Sequence, residues 1–424
     1  MIERTQAPDF KQVENIELVK ADNYTLDNGI KLFAINAGTQ DLVRVELIFK
    51  NVNWNINKPL QAYAANTMLV EGTSKLSALQ LAEEIDYYGA FLQTDYNYDQ
   101  SSVTLYTLTK HLGATLPVIK QIISDSVFPE DELETFKRNQ KQKLSVNLEK
   151  NDFLSRRAFN RALFGDSIYG FSSVAADYDK LHRDQLVEYF NLAYRPNNCS
   201  IVVSGKVDEA TISLINGYFG KNWDKGVDIT PNSFTLPIRT GAEHYHEREG
   251  ALQSAIRIGQ VSISRNHPDF AALQVLNTVL GGYFGSRLMA NIREDKGYTY
   301  GIGSALVSMQ NTGYFFIASE VGAQVCTSAV AEIQKEVTTL RTELIPAEEL
   351  ALVKNYMLGS FLGGLENAFS HADKFKNIYF SGLGYDYYEN YITTVKTITS
   401  EKLLELANFY LNFDSFEKII VGKK

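Results

Sequence analysis

Arg293 and Tyr300 stand seven residues apart in the stretch LGGYFGSRLMANIREDKGYTY, residues 280–300 of this 424-residue chain. A fixed cation and a phenolic donor facing one cleft can hold a carbonyl oxygen, one by a charge-assisted hydrogen bond and the other by donation to developing negative charge. The local pattern predicts how they are held. Gly281, Gly282 and Gly285 mark a place of backbone permissiveness or close approach, and residues 287–293 read as a short helix with apolar positions at Leu288, Met289 and Ile292. Gly297 ends that helix, and the alternation of Tyr298 and Tyr300 opens a strand. Taken alone, such a pair is also what ordinary surface and core residues look like.

A hydrolytic zinc site commonly places two histidines one helical turn apart, adds a carboxylate ligand and leaves a position open for water. The six histidines of this chain are His111, His182, His244, His246, His267 and His371, and none forms a turn-spaced pair on an expected helix. His244 and His246 alternate in a polar, extended stretch, where solvated linker is the simpler reading and a metal pair the alternative.

Composition bounds the rest. The length calls for two domains. A net charge of -9, with no basic stripe, argues against nucleic acid as a partner. No apolar run is long enough to span a membrane. Cys199 and Cys326 are too few for a disulfide framework. The opening MIERTQAPDF lacks a basic start followed by an apolar run, which leaves the compartment open: cytoplasmic as the sequence is given, periplasmic if a signal peptide has been removed.

Strands are expected around the Asp27-Asn28-Gly29 turn, through VRVELIF at 43–49 and within 90–109. Helices are expected over 58–70, 76–88, 112–127, 131–149, 153–164, 178–193 and 209–219. Punctuation by Gly226, Pro231, Pro237 and Gly241 marks 226–250 as a linker between domains at 1–225 and 251–424. Residues 180–205 and 397–422 overlay without a gap. Leu186 meets Leu403, Val202-Val203 meets Ile419-Ile420, and Gly205 meets Gly422. Each is a helix entering a short strand that ends in Gly, which predicts two copies of one α+β domain; chance likeness between two helix–strand units is the alternative.

These motifs resemble the M16 (insulinase-like, pitrilysin-like) peptidases, specifically the short bacterial two-subunit type, which is similar to the paired subunits of the mitochondrial processing peptidase. The resemblance runs through Thr25–Leu32 (TLDNGIKL), Met68–Thr73 (MLVEGT), Tyr194–Asn198 (YRPNN) and 280–300. It implies an α+β fold of two homologous domains, each a mostly antiparallel sheet with helices on one face. The family's inverted zinc motif, His-x-x-Glu-His, falls on Tyr63, Asn66 and Thr67, and its distant glutamate ligand falls near Leu144. Spacings of i, i+3 and i+4 put the first three on one helical face, but a neutral phenol, amide and hydroxyl offer zinc neither imidazole nor carboxylate. No metal is therefore expected in this chain.

Arg293 and Tyr300 match the family's arginine–tyrosine pair, with Gly297 between them. The resemblance then implies a complementing subunit: zinc on a partner homologue carrying the intact motif, an unstructured peptide as substrate, and a homodimer as an option for the isolated chain. A non-catalytic structural or peptide-binding protein of the same fold is the other reading. An autonomous zinc peptidase needs ligands that the sequence does not supply.

Overall fold

A computed structural model describes residues 16–232, 235–237 and 241–424. The first fifteen residues, and parts of the expected linker at 233–234 and 238–240, lie outside the described residues.

Alternation of apolar and polar residues produces two sheets. The first has strands β1 (Asp22–Thr25), β2 (Lys31–Asn36), β3 (Leu42–Lys50), β4 (Phe91–Tyr96), β5 (Gln100–Leu108) and β6 (Cys199–Gly205), in the order β1-β2-β6-β3-β5-β4. The second has β7 (Glu243–Glu247), β8 (Gln253–Ser262), β9 (Thr299–Ser308), β10 (Gly313–Gly322) and β11 (Glu417–Gly422), in the order β7-β11-β8-β10-β9. With β1 set aside, the orders are the same. The senses match too: β2 with β6 and β7 with β11 are parallel, and every other pairing is antiparallel.

The overlay of 180–205 on 397–422 is thus a structural repeat. Helix Arg183–Ala193 leads to β6 as helix Ser400–Tyr410 leads to β11. Gly205 (φ 120°) and Gly422 (φ 137°) close the two copies in a backbone region that favours glycine, each pressed against the neighbouring strand. The stretch expected as a linker differs in one respect. Glu243–Glu247 forms β7, because its backbone pairs in parallel with β11 although its side chains are mostly exposed and carry no apolar alternation.

Each sheet buries one face against helices of its own half. On β3, Val43, Val45, Leu47 and Phe49 are all 0% exposed, and a continuous core joins them to Met68, Leu69 and the helix Leu112–Asp125. The second core gathers Ile256, Ile258, Leu280, Ile292 and Ile317. The other faces are covered by exchange. Helix Asn151–Phe164 of the first half packs on β8 and β11 through Phe159 and Phe164, while helix Ala368–Tyr379 of the second half packs on β2 and β6 through Ala372 and Phe375. Burying each of these phenylalanines contributes about 2–3 kcal/mol.

Charge pairs lock both exchanges. Lys376 Nζ donates to both oxygens of buried Glu46, at 2.8 and 2.7 Å. At the equivalent register position of the other sheet, Arg257 Nη2 meets Asp152 at 3.0 Å. Among the described residues, no helix is long and apolar enough to cross a membrane.

Candidate functional site

The segment 280–300 is built from tight contacts. Helix Phe270–Asn277 runs into a π-helical turn, Thr278–Gly282, that lies against β9. A Cβ on Gly281 would sit 2.6 Å from the Ser304 backbone nitrogen, so only glycine allows this approach. Arg287 anchors the next turn through a bidentate pair with Glu349, both N–O distances being 2.8 Å. That accounts for the Gly and Arg positions as packing residues. The helix expected over 287–293 is a π-helical segment, Met289–Asp295, with Ile292 0% exposed in the core and Arg293 one position further round at the partly exposed edge.

The Arg293 guanidinium lies 4.7 Å from the centroid of the Phe284 ring, and that ring is itself 62% exposed. A planar cation over an aromatic face is held in position and keeps its N–H groups available. Among the described residues, no hydrogen bond or ion pair engages them.

Gly297, at φ 64°, reverses the chain into β9, the edge strand of the second sheet. The register slips there: Thr299 pairs with Val321 and Ile302 with Ser319, which leaves Tyr300 in a bulge. Two hydroxyls fix the irregularity. Thr299 donates to the Glu320 carbonyl at 2.6 Å, and Ser319 donates to the Gly301 carbonyl at 3.0 Å. A bulge re-aims a side chain. Here Tyr300 is 95% exposed, and no hydrogen bond joins it to Arg293.

The positions of the expected zinc motif lie on helix Gln61–Thr67, and the polar atoms of Asn66 and Thr67 are occupied by the fold. Asn66 is 0% exposed; its Nδ2 donates to the Asp95 carbonyl at 2.8 Å, and its Oδ1 accepts from the Tyr194 hydroxyl at 2.8 Å. Thr67 donates to the Tyr63 carbonyl at 2.8 Å. Tyr63 packs edge-on to Tyr96, and burial holds its phenol above the usual range. Leu144 is buried and has no donor atom. Tyr63 and Leu144 share one cavity wall, whereas Asn66 and Thr67 do not line it. A neutral phenol and a leucine do not make a zinc site.

The alternating pair on β7 is separate. His244 Nε2 contacts Glu417 Oε2 at 3.1 Å, and His246 is exposed. No group of three or more His, Cys, Asp or Glu side chains among the described residues is arranged to hold a metal.

Residues 180–357 match a family model described as the peptidase M16 inactive domain. The chain is 24% identical over 348 residues to the uncharacterized zinc protease YmxG of Bacillus subtilis, covering 81% of this chain and 84% of that one. It is 23% identical over 371 residues to the non-peptidase homolog YmxG of Helicobacter pylori, covering 84% and 83%. The fold matches the crystal structure of a peptidase M16 inactive domain from Pseudomonas fluorescens with a TM-score of 0.85, at 22% identity over 95% of this chain and 98% of that one. Residues 180–357 thus match the M16 inactive-domain model, and the chain as a whole resembles M16 proteins in sequence and in fold.

Within that fold, the residues that sequence reasoning missed are those around Arg293 and Tyr300. Phe284 under Arg293, and Thr299 with Ser319 around the bulge, become visible only once the β9–β10 register is known. The signal for Thr299 was faint, since a threonine beside an alternating tyrosine also reads as plain strand.

Proposed function

We propose that this chain is the non-zinc subunit of a two-chain M16 endopeptidase and supplies Arg293 and Tyr300 to an active centre completed by its partner. The observation that carries this reading is Tyr300: a tyrosine 95% exposed on a hydroxyl-pinned bulge of an edge strand, in the strand that follows the segment carrying the uncommitted Arg293. A phenol presented in this way, with no hydrogen-bond partner among the described residues, suits a group that acts across an interface.

In that role the Tyr300 phenol donates to the oxygen of the scissile carbonyl as the carbon becomes tetrahedral. Arg293 holds a substrate backbone carbonyl through a charge-assisted bond. The partner's zinc would supply the activated water. The satisfied hydrogen bonds of Asn66 and the absence of a donor at Leu144 support a division of labour rather than one damaged ligand.

The second reading is a non-catalytic peptide-binding or structural protein; the family model's description as an inactive domain favours it. Purifying the chain with and without a zinc-bearing homologue from the same source, and assaying an unstructured peptide, separates the two. Hydrolysis only by the pair supports the complementing subunit. Hydrolysis by the isolated, metal-stripped chain, or none by any mixture, overturns it.

A further inference from the structure

The cavity beside Tyr63 and Leu144 holds about 340 Å³, within the range of small-ligand pockets. Its lining is chemically one-sided. Rings of Trp54, Tyr63, Tyr96, Tyr98, Phe153 and Phe171 face it, and Lys143, Arg156 and Arg157 supply its charge; no Asp or Glu lines it.

The cations are positioned. Arg157 donates Nη1–H to the Ser173 carbonyl at 2.8 Å, and both Arg156 and Arg157 lie over the Phe153 ring, at 5.7 and 5.5 Å. Among the described residues, neither Arg156 nor Lys143 takes part in an ion pair. Carboxylates on the flanking elements are engaged elsewhere: Asp152 with Arg257, Asp177 with the Val174 amide, and Asp99 with the Tyr169 hydroxyl. Asp177 also acts on Arg157, while Arg156 and Lys143 stand unpaired beside a hydrophobic wall, an arrangement that rejects basic peptides and favours an anion attached to an apolar group.

We infer that this cavity, at the place of the absent zinc site, binds a peptide segment in which a carboxylate stands next to an aromatic or bulky apolar side chain. The ring packs against Tyr63, Tyr96 and Phe153, and the carboxylate meets Arg156 and Lys143. Two sources present this chemistry: the C-terminal carboxylate of a peptide and an internal Asp or Glu. The site belongs to this chain alone, so the inference holds whether or not a zinc-bearing partner exists.

Isothermal titration of the full chain with N-acetyl-Ala-Phe as free acid, its amide, and N-acetyl-Glu-Phe amide tests it. The free acid is expected to bind at least about tenfold more tightly than its amide, the equivalent of one charge-assisted hydrogen bond. If glutamate restores affinity to the amide, an internal acidic residue also serves as a source; if not, the chain terminus is the source. Arg156→Gln with Lys143→Gln is expected to weaken carboxylate binding by about tenfold or more without lowering thermal stability, since both side chains are exposed. Equal affinity for acid and amide, no saturable binding of either carboxylate ligand, or unchanged binding by the double variant would overturn the inference.

Discussion

Replacing Asn66 by alanine removes a buried side chain of helix Gln61–Thr67 that joins three elements. Its side chain bridges the Asp95 carbonyl on β4 and the hydroxyl of Tyr194, a tyrosine only 1% exposed, with both distances 2.8 Å. Alanine leaves the buried Tyr194 hydroxyl without this partner, at about 1–3 kcal/mol, and removes the bond to the Asp95 carbonyl, at about 1 kcal/mol, so the expected cost is about 3 kcal/mol. Against a total stability of about 5–15 kcal/mol, that is a large fraction. With a urea dependence of about 3 kcal/mol per molar, the midpoint falls by on the order of 1 M.

The assay is urea unfolding followed by tyrosine and tryptophan fluorescence, run on Asn66→Ala, Tyr194→Phe and the double variant. Removing the Tyr194 hydroxyl in the alanine background removes the group deprived of its partner. The pair should therefore be coupled by about 1 kcal/mol or more rather than additive. A cost below about 1 kcal/mol for Asn66→Ala, or strict additivity, would refute the claim that this position has become a structural hydrogen-bond hub.

Lys376→Met strands Glu46, which is 7% exposed and keeps only Arg44 at 3.9 Å; denaturant unfolding should show a loss of about 3 kcal/mol, largely recovered by adding Glu46→Gln. Lys120 is a buried amine without a hydrogen-bond partner, stacked 4.6 Å from Trp223, and burial pushes its pKa down to about 8. Between that value and the ordinary lysine range, the unfolded chain binds the extra proton, so this group makes stability rise as pH increases through about 8 to 10. Lys120→Met should flatten that rise and stabilise the protein by about 1 kcal/mol at pH 7, measured by thermal unfolding across pH. Dialysis against zinc, followed by elemental analysis, should leave the metal well below one equivalent per chain; stoichiometric zinc would contradict the donor inventory at Tyr63, Asn66, Thr67 and Leu144.

The sequence was most informative where a single period governs a stretch. Val43, Val45, Leu47 and Phe49 mark the core face of β3, and the helix at 209–219 begins and ends where expected, with Asp208 capping it through Thr211. Helix Ala78–Asp86 is capped by Ser77 in a reciprocal box with Gln80, the serine-then-glutamine spacing that marks a helix start. The Tyr194-Arg195-Pro196-Asn197-Asn198 motif joins helix to strand as well, Asn198 bonding the Lys50 and Ala193 carbonyls. Features set by long-range contact were not legible. Arg44 and Glu46 look like solvent-facing residues of an alternating strand, and only the helix from the other half explains their burial. Strand β7 has no hydrophobic alternation because it is recruited through backbone pairing with β11. The π-helical turns around Gly281 and Ile292 carry an ordinary helical pattern, since the extra residue per turn follows from packing on β9 and not from side-chain period.

The most direct test of the central claim is the turnover of an unstructured peptide by the complex of this chain with a zinc-bearing homologue, comparing wild type with Tyr300→Phe. Loss of one preorganised donor to the oxyanion predicts a fall in kcat of about a hundredfold. Thermal stability should be unchanged, because the phenol is exposed and has no hydrogen-bond partner among the described residues. Undiminished turnover by the Tyr300→Phe complex would contradict the account.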